Sequence, residues 1–175
     1  MATTTQISSA AEIKSITEQG VFSGYAALFN TPDLSGELIA PGAFKDSLAA
    51  MTHKLPLLFS HETSEPIGIF RVVKEDSKGL YVEGELNLNT QSGKDAYSLL
   101  KQGALTGLSI AFLPVDFVPN KDGSRTITKL TLLEISLTPV PAQPKAQVTS
   151  VRSLGPKDAA EDWTSIIAAL RDFVQ

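Results

Sequence analysis

Residues 126–137 read Thr-Ile-Thr-Lys-Leu-Thr-Leu-Leu-Glu-Ile-Ser-Leu. The stretch is rich in Thr, Ile and Leu and contains no Gly or Pro. It lies between a turn-like segment, Asn120–Arg125 (NKDGSR), and Pro139. That is the signature of a β-strand. Side chains alternate along a strand, so Leu130 and Leu132 are expected on the face of Glu134, with Leu133, Ile135 and Leu137 on the other. A carboxylate is seldom buried without a partner. Glu134 therefore either points to solvent on an open face or is paired with a specific donor, such as a His N–H, a Lys or an Arg. Working outward, similar short apolar runs recur at Gly20–Phe29, Leu55–Phe59, Gly68–Val73, Gly79–Leu88 and Ala104–Leu113. Each is bounded by Gly, Pro, Asn or Asp. Lys74–Gly79 (KEDSKG) and NKDGSR read as hairpin turns. Two segments break the pattern: Ala43–Met51 after Pro41-Gly42, and Ser92–Gln102, with Ser92 a candidate cap and Gly103 a stop. Both are expected as helices. Many short strands with few helices predict a mainly β protein, a closed β-barrel with peripheral helices.

The chain has 175 residues, enough for one domain with a substantial core. A hydrophobic share of 42% predicts a soluble globular protein, and no apolar run reaches the roughly 18–20 residues that span a bilayer. No basic start followed by an apolar stretch marks a secretory signal. Cys is absent, which excludes a thiol nucleophile and Cys-based zinc. The two His are too few for most metal sites, and no nucleotide-binding glycine motif is present. A net charge of −4 with scattered Lys and Arg counts against nucleic acid. No cofactor, metal, nucleic-acid or membrane partner is therefore expected. The expected organisation is a flexible segment 1–19, a β-barrel domain 20–150, and a linker and amphipathic helix 151–175. In the last, Trp163, Ile166, Ile167, Leu170, Phe173 and Val174 fall on one helical stripe. That helix either packs on its own barrel or serves a partner or a dimer. The polar stretch Ser150–Lys157 before it reads as a protease-accessible joint.

Three side chains stand at the edges of apolar runs: His61 in LPLLFSH, Ser109 in GLSIAF and Glu134. A serine becomes a useful nucleophile when a base removes its proton and a third group holds the base's ring in the right tautomer. The residue types fit those roles, and the separations of 48 and 25 residues require a fold to unite them. Ser109 shares its strand face with Gly107 and Ala111, small neighbours beside which a peptide backbone could approach. The residues alone equally allow a core serine bonded to a carbonyl. His61 closes a strand, where an imidazole can exchange a proton near neutral pH, or is an ordinary strand-end histidine. His53, in Thr52-His53-Lys54, reads as solvated. GLSIA is not a nucleophile elbow, because the chain runs on through Phe112-Leu113 into Pro114 instead of turning into a helix.

Taken together, the pieces resemble the HK97-type phage prohead proteases. In order they are Phe22-Ser-Gly-Tyr-Ala26, Ile39-Ala-Pro-Gly-Ala-Phe44, Leu57-Leu-Phe-Ser-His61 with Pro66-Ile-Gly68, Gly79-Leu-Tyr-Val82, Leu99–Leu105, Gly107–Phe112, and Leu133-Glu-Ile-Ser-Leu137 followed by Pro141-Ala142. They cover roughly residues 20–150. The resemblance implies a herpesvirus-protease-like barrel and a serine endopeptidase that matures a viral procapsid. The serine of the LSxxF motif maps to Ser109 as nucleophile. The histidine closing LLxxH maps to His61 as base, and the acid of LxExSL to Glu134. The family motif usually has Gly after Ser-Ile, where this chain has Ala111. The implied substrates are the major capsid protein with its scaffolding segment, and the protease itself. The implied setting is the assembling procapsid in the host cytoplasm, with a homodimer or higher oligomer as an open state. The alternatives are a non-catalytic scaffold or capsid-binding barrel, and a small-substrate serine esterase.

Overall fold

The computed structural model describes residues 20–150, with the backbone alone at Ser150. The expected N-terminal segment, C-terminal joint and terminal helix lie outside the described residues. Eight strands and two helices follow in chain order: β1 Val21–Leu28, β2 Leu38–Ile39, α1 Lys45–Ala50, β3 Pro56–Phe59, β4 Gly68–Glu75, β5 Gly79–Leu86, α2 Gln91–Gln102, β6 Gly107–Pro119, β7 Arg125–Thr138 and β8 Val148–Ser150. The fold is mainly β, as its sequence predicts. Both hairpin turns form. Asp76 Oδ1 accepts from Lys78 N and Gly79 N between β4 and β5. Asn120 N donates to Ser124 O at 2.8 Å between β6 and β7.

The strands form one sheet in the order β2-β7-β3-β4-β5-β1-β8, with β6 on β7. These ladders do not return on themselves, so they do not show the closed barrel expected from the sequence. Among the described residues, the short β8 has its ladder with β1, and Val148 N also donates to Thr106 O at 2.9 Å. Just before β8, an isolated bridge joins Gln147 to Gly107 at the start of β6. Strand pairing in the interior is set by which residues must be buried. Leu57, Leu80, Leu108, Ile127, Ile135 and Leu137 are each 0% exposed. Phe22 and Phe70 meet edge to face at 6.3 Å in the same core.

Strand β7 organises the molecule. It pairs with β6 along nearly its whole length, with β2 at Thr126 and Ile127, and with β3 at Ile135–Leu137. Between β2 and β3 its edge would leave backbone N–H groups without partners. Helix α1 and the turn before it cover that gap: Leu130 N donates to Ala43 O, and Leu132 N to Ser47 Oγ.

Three local expectations change. First, Ala111 pairs with Glu134 and Phe112 with Leu132, so Leu133 is an extra, bulged residue. The bulge reverses the side-chain alternation. Leu130 and Leu132 therefore join Ile135 and Leu137 in the core, and Glu134 does not share their face. Leu133 itself is 50% exposed. Second, β6 does not stop at Leu113 but continues through Pro114 to Pro119. There it is paired on one side only, as an edge strand, the place in a sheet where proline is tolerated. Third, Thr90 caps α2, its hydroxyl accepting from Gly93 N, where Ser92 was the expected cap. Gly103 ends the helix at φ 74° as expected, a left-handed conformation that glycine adopts without Cβ strain.

Candidate active site

The site is built on three neighbouring strands, β3, β7 and β6. Ser136 in β7 faces Leu58 of β3 and Ser109 of β6 across the two ladders. Opposed residues share a face, so Ser109, Ser136 and Glu134 lie on one side of the sheet, opposite Leu108, Ile135 and Leu137. Ser109 is 3% exposed and Ser136 is fully buried. At the start of β6, a side chain on Gly107 would collide with Thr138 O and the Pro141 ring, which fixes glycine there.

His61 enters from β3 through a tight turn. Glu62 N donates to Phe59 O at 2.9 Å, and the two central residues, Ser60 and His61, have φ of 48° and 66°. Left-handed φ is costly for non-glycine residues and is kept only where surrounding contacts impose it. Two contacts do so here: Ser60 N donates to Leu137 O at 2.8 Å, and His61 N donates to Ser136 Oγ at 3.0 Å. The turn folds the imidazole back over β7. There His61 Nδ1 meets Glu134 Oε1 at 2.5 Å. The second carboxylate oxygen, Oε2, accepts from Ser136 Oγ at 2.6 Å.

Both oxygens of Glu134 thus have donors, which is what lets a carboxylate whose side chain is only 10% exposed sit on this strand. In the imidazole tautomer that donates from Nδ1 to Glu134, Nε2 carries the free lone pair. The His61 side chain is 44% exposed, so that nitrogen can meet a substrate. The structure therefore unites His61 and Glu134 directly. It sets Ser109 on the same face one strand away, with no His61–Ser109 hydrogen bond among the described residues. Ser109 lines a small cavity of about 40 Å³ with Ala26, Asp33, Ala142 and Gln143. Gln143 anchors the loop beside it, accepting from Leu28 N and donating to Leu28 O and Thr31 O.

The competing acids lie elsewhere. Asp116 is exposed on the β6–β7 hairpin. Glu62 is exposed and accepts from Ser64 N and Oγ, and the Ser64 hydroxyl and backbone N–H hold its carboxyl below the usual range. His53 is exposed. Ser136 was missed by sequence reasoning. Its signal was present in its position two residues from Glu134, on the same strand face.

The sequence model of the caudovirus prohead serine protease family matches residues 8–158. The chain belongs to this family. It is 35% identical over 160 residues to the prohead protease of Enterobacteria phage HK97, covering 90% of this chain and 70% of that protein. It is 31% identical to the prohead protease of Escherichia phage T5, covering 79% and 66%. It is 30% identical to a capsid polyprotein of Pseudomonas phage PAJU2, covering 82% of this chain but 22% of that protein. Among solved structures, the bacteriophage T4 capsid assembly protease gp21 superposes with a TM-score of 0.55 at 12% identity, over 67% of this chain and 80% of that one. A KSHV protease in complex with a hexapeptide phosphonate inhibitor superposes with a TM-score of 0.53 at 17% identity, over 74% and 64%. These two share the fold. The prohead protease family makes the chain a serine protease acting in phage capsid maturation. Among the described residues, no helix is long and apolar enough to cross a membrane.

Proposed function

We propose that the chain is an endopeptidase with a Ser109–His61–Glu134 triad. Its proposed substrates are the major capsid protein's scaffolding segment and itself, inside the assembling procapsid in the host cytoplasm. The observation that carries this reading is the 2.5 Å pairing of His61 Nδ1 with Glu134 on the sheet face that also presents Ser109. Nε2 of His61 takes the Ser109 hydroxyl proton as Oγ bonds to the scissile carbonyl carbon. The tetrahedral adduct expels the amine as the C–N bond breaks, and the imidazolium returns its proton to that amine. Water, deprotonated by the same nitrogen, then releases the acyl group and restores Ser109. Glu134 holds the productive tautomer and stabilises the imidazolium.

The choice of substrate is supported by the names of the relatives, one of them a capsid polyprotein that holds a segment similar to this chain. Co-expression with the capsid protein, followed by intact mass measurement, tests it. Cleaved capsid protein with the wild type and intact capsid protein with Ser109→Ala supports the proposal. Intact capsid protein with both proteins contradicts it, and would favour a scaffold or capsid-binding role.

A further inference from the structure

We infer that Ser136 is a positioning residue that sets both the base and the acid of this site; the inference rests on the triad reading above. Three observations converge on its hydroxyl. It accepts the His61 backbone N–H at 3.0 Å, it donates its single proton to Glu134 Oε2 at 2.6 Å, and it is 0% exposed. These contacts act on different parts of the site. The first holds His61 at φ 66°, a conformation the residue does not favour by itself and one that turns the ring back over β7. The second fixes the plane of the Glu134 carboxylate, so that the oxygen not bonded to Ser136 faces Nδ1.

Without the hydroxyl, the His61 N–H loses its acceptor and Oε2 loses its donor. Each loss favours a rearrangement that separates the ring from the acid. Ser136 also sits midway in the site, with Ser109 on one flanking strand and the strand leading to His61 on the other. Its hydroxyl is committed to these two contacts and is 0% exposed. Its effect should therefore fall on turnover and leave substrate binding unchanged.

The experiment uses the full chain, a peptide spanning the capsid cleavage site mapped by the co-expression measurement above, and Ser136→Ala beside Glu134→Gln. In Ser136→Ala, kcat should fall about 10- to 100-fold with KM within about twofold. The low-field proton resonance of the His61 Nδ1–H should broaden or move in Ser136→Ala, yet persist in Ser109→Ala, which keeps the whole network. Should Ser136→Ala fail to fold, Ser136→Cys replaces it, filling similar space with a weak donor, and must show the same loss. A folded Ser136 variant with unchanged kcat, or with an unmoved low-field proton, overturns the inference while Glu134→Gln remains impaired. Normal turnover in Glu134→Gln overturns the triad reading itself, and this inference with it.

Discussion

Glu134 is tolerable on its strand because two donors reach it, and the same two donors make it useful. A glutamine there keeps the size but replaces one acceptor oxygen with an amide that can favour the wrong imidazole tautomer. Glu134→Gln is therefore expected to fold and to lose activity by orders of magnitude. Asp116→Asn and Glu62→Gln should each change the rate by less than about tenfold, a barrier difference of roughly 1.4 kcal/mol. Cleavage assays on the three purified variants check this, and a large loss in Asp116→Asn would reassign the acid. At this scale the sequence carried the three residue types and the burial conflict at Glu134, while leaving solvent exposure open as an alternative. It did not carry the turn. Left-handed turns are read from Asn-Gly or Asp-Gly, and Ser60-His61 lacks that chemistry because Ser136 and Leu137 impose the conformation from another strand.

At the level of elements, the bulge at Leu133 decides which face Glu134 occupies. Strict alternation placed Leu130 and Leu132 beside it, and one inserted residue reversed that. Nothing local in LTLLEISL announces a bulge, because it is the pairing with Ala111 and Phe112 that leaves Leu133 out. Leu133→Ala, at a half-exposed position, should cost about 1 kcal/mol or less. Deleting Leu133 should also keep the fold, because removing the extra residue leaves Leu130 and Leu132 in regular alternation with Ile135 and Leu137. Deleting Thr131 from the regular stretch should be far worse, because it would turn Leu130, now 1% exposed, out of the core. Thermal melts would separate the two deletions: a Leu133 deletion that is less stable than the Thr131 deletion would contradict the bulge. A second element-level device joins the β4–β5 turn to β1. Tyr25 Oη donates to Asp76 Oδ2 at 2.8 Å. That hydrogen bond, followed by burial and the nearby carboxylate charge, pushes the Tyr25 pKa up from 10.0 to about 12. Because the folded-state value is raised, the contribution is full below pH 10 and is lost as pH rises towards 12. Solvent screening at this partly exposed site limits it to about 1 kcal/mol. Tyr25→Phe should lower stability at pH 8 by that amount, and the gap to wild type should narrow between pH 10 and 12. A gap that stays constant across that range would assign the effect to packing instead.

Across the whole molecule, most strands were legible because half-buried strands announce themselves by short apolar runs between turn residues. Closure was not legible, because it depends on how distant edges meet, and here β6 and the segment before β8 meet through a single bridge. The arrangement gives the central strand β7 three neighbours whose sequences lie far apart: β2 and β3 along one edge, β6 along the other. That is how residues 61, 109 and 134 come to one face. The central claim is that Ser109 is a nucleophile activated there by His61 and Glu134. It is tested most directly by treating the full-length protein with a fluorophosphonate and mapping the adduct by mass spectrometry, beside Ser109→Ala and His61→Ala. The account predicts one adduct on Ser109, none in Ser109→Ala, and labelling slowed by orders of magnitude in His61→Ala. An adduct on another serine, or labelling of His61→Ala at the wild-type rate, would contradict it.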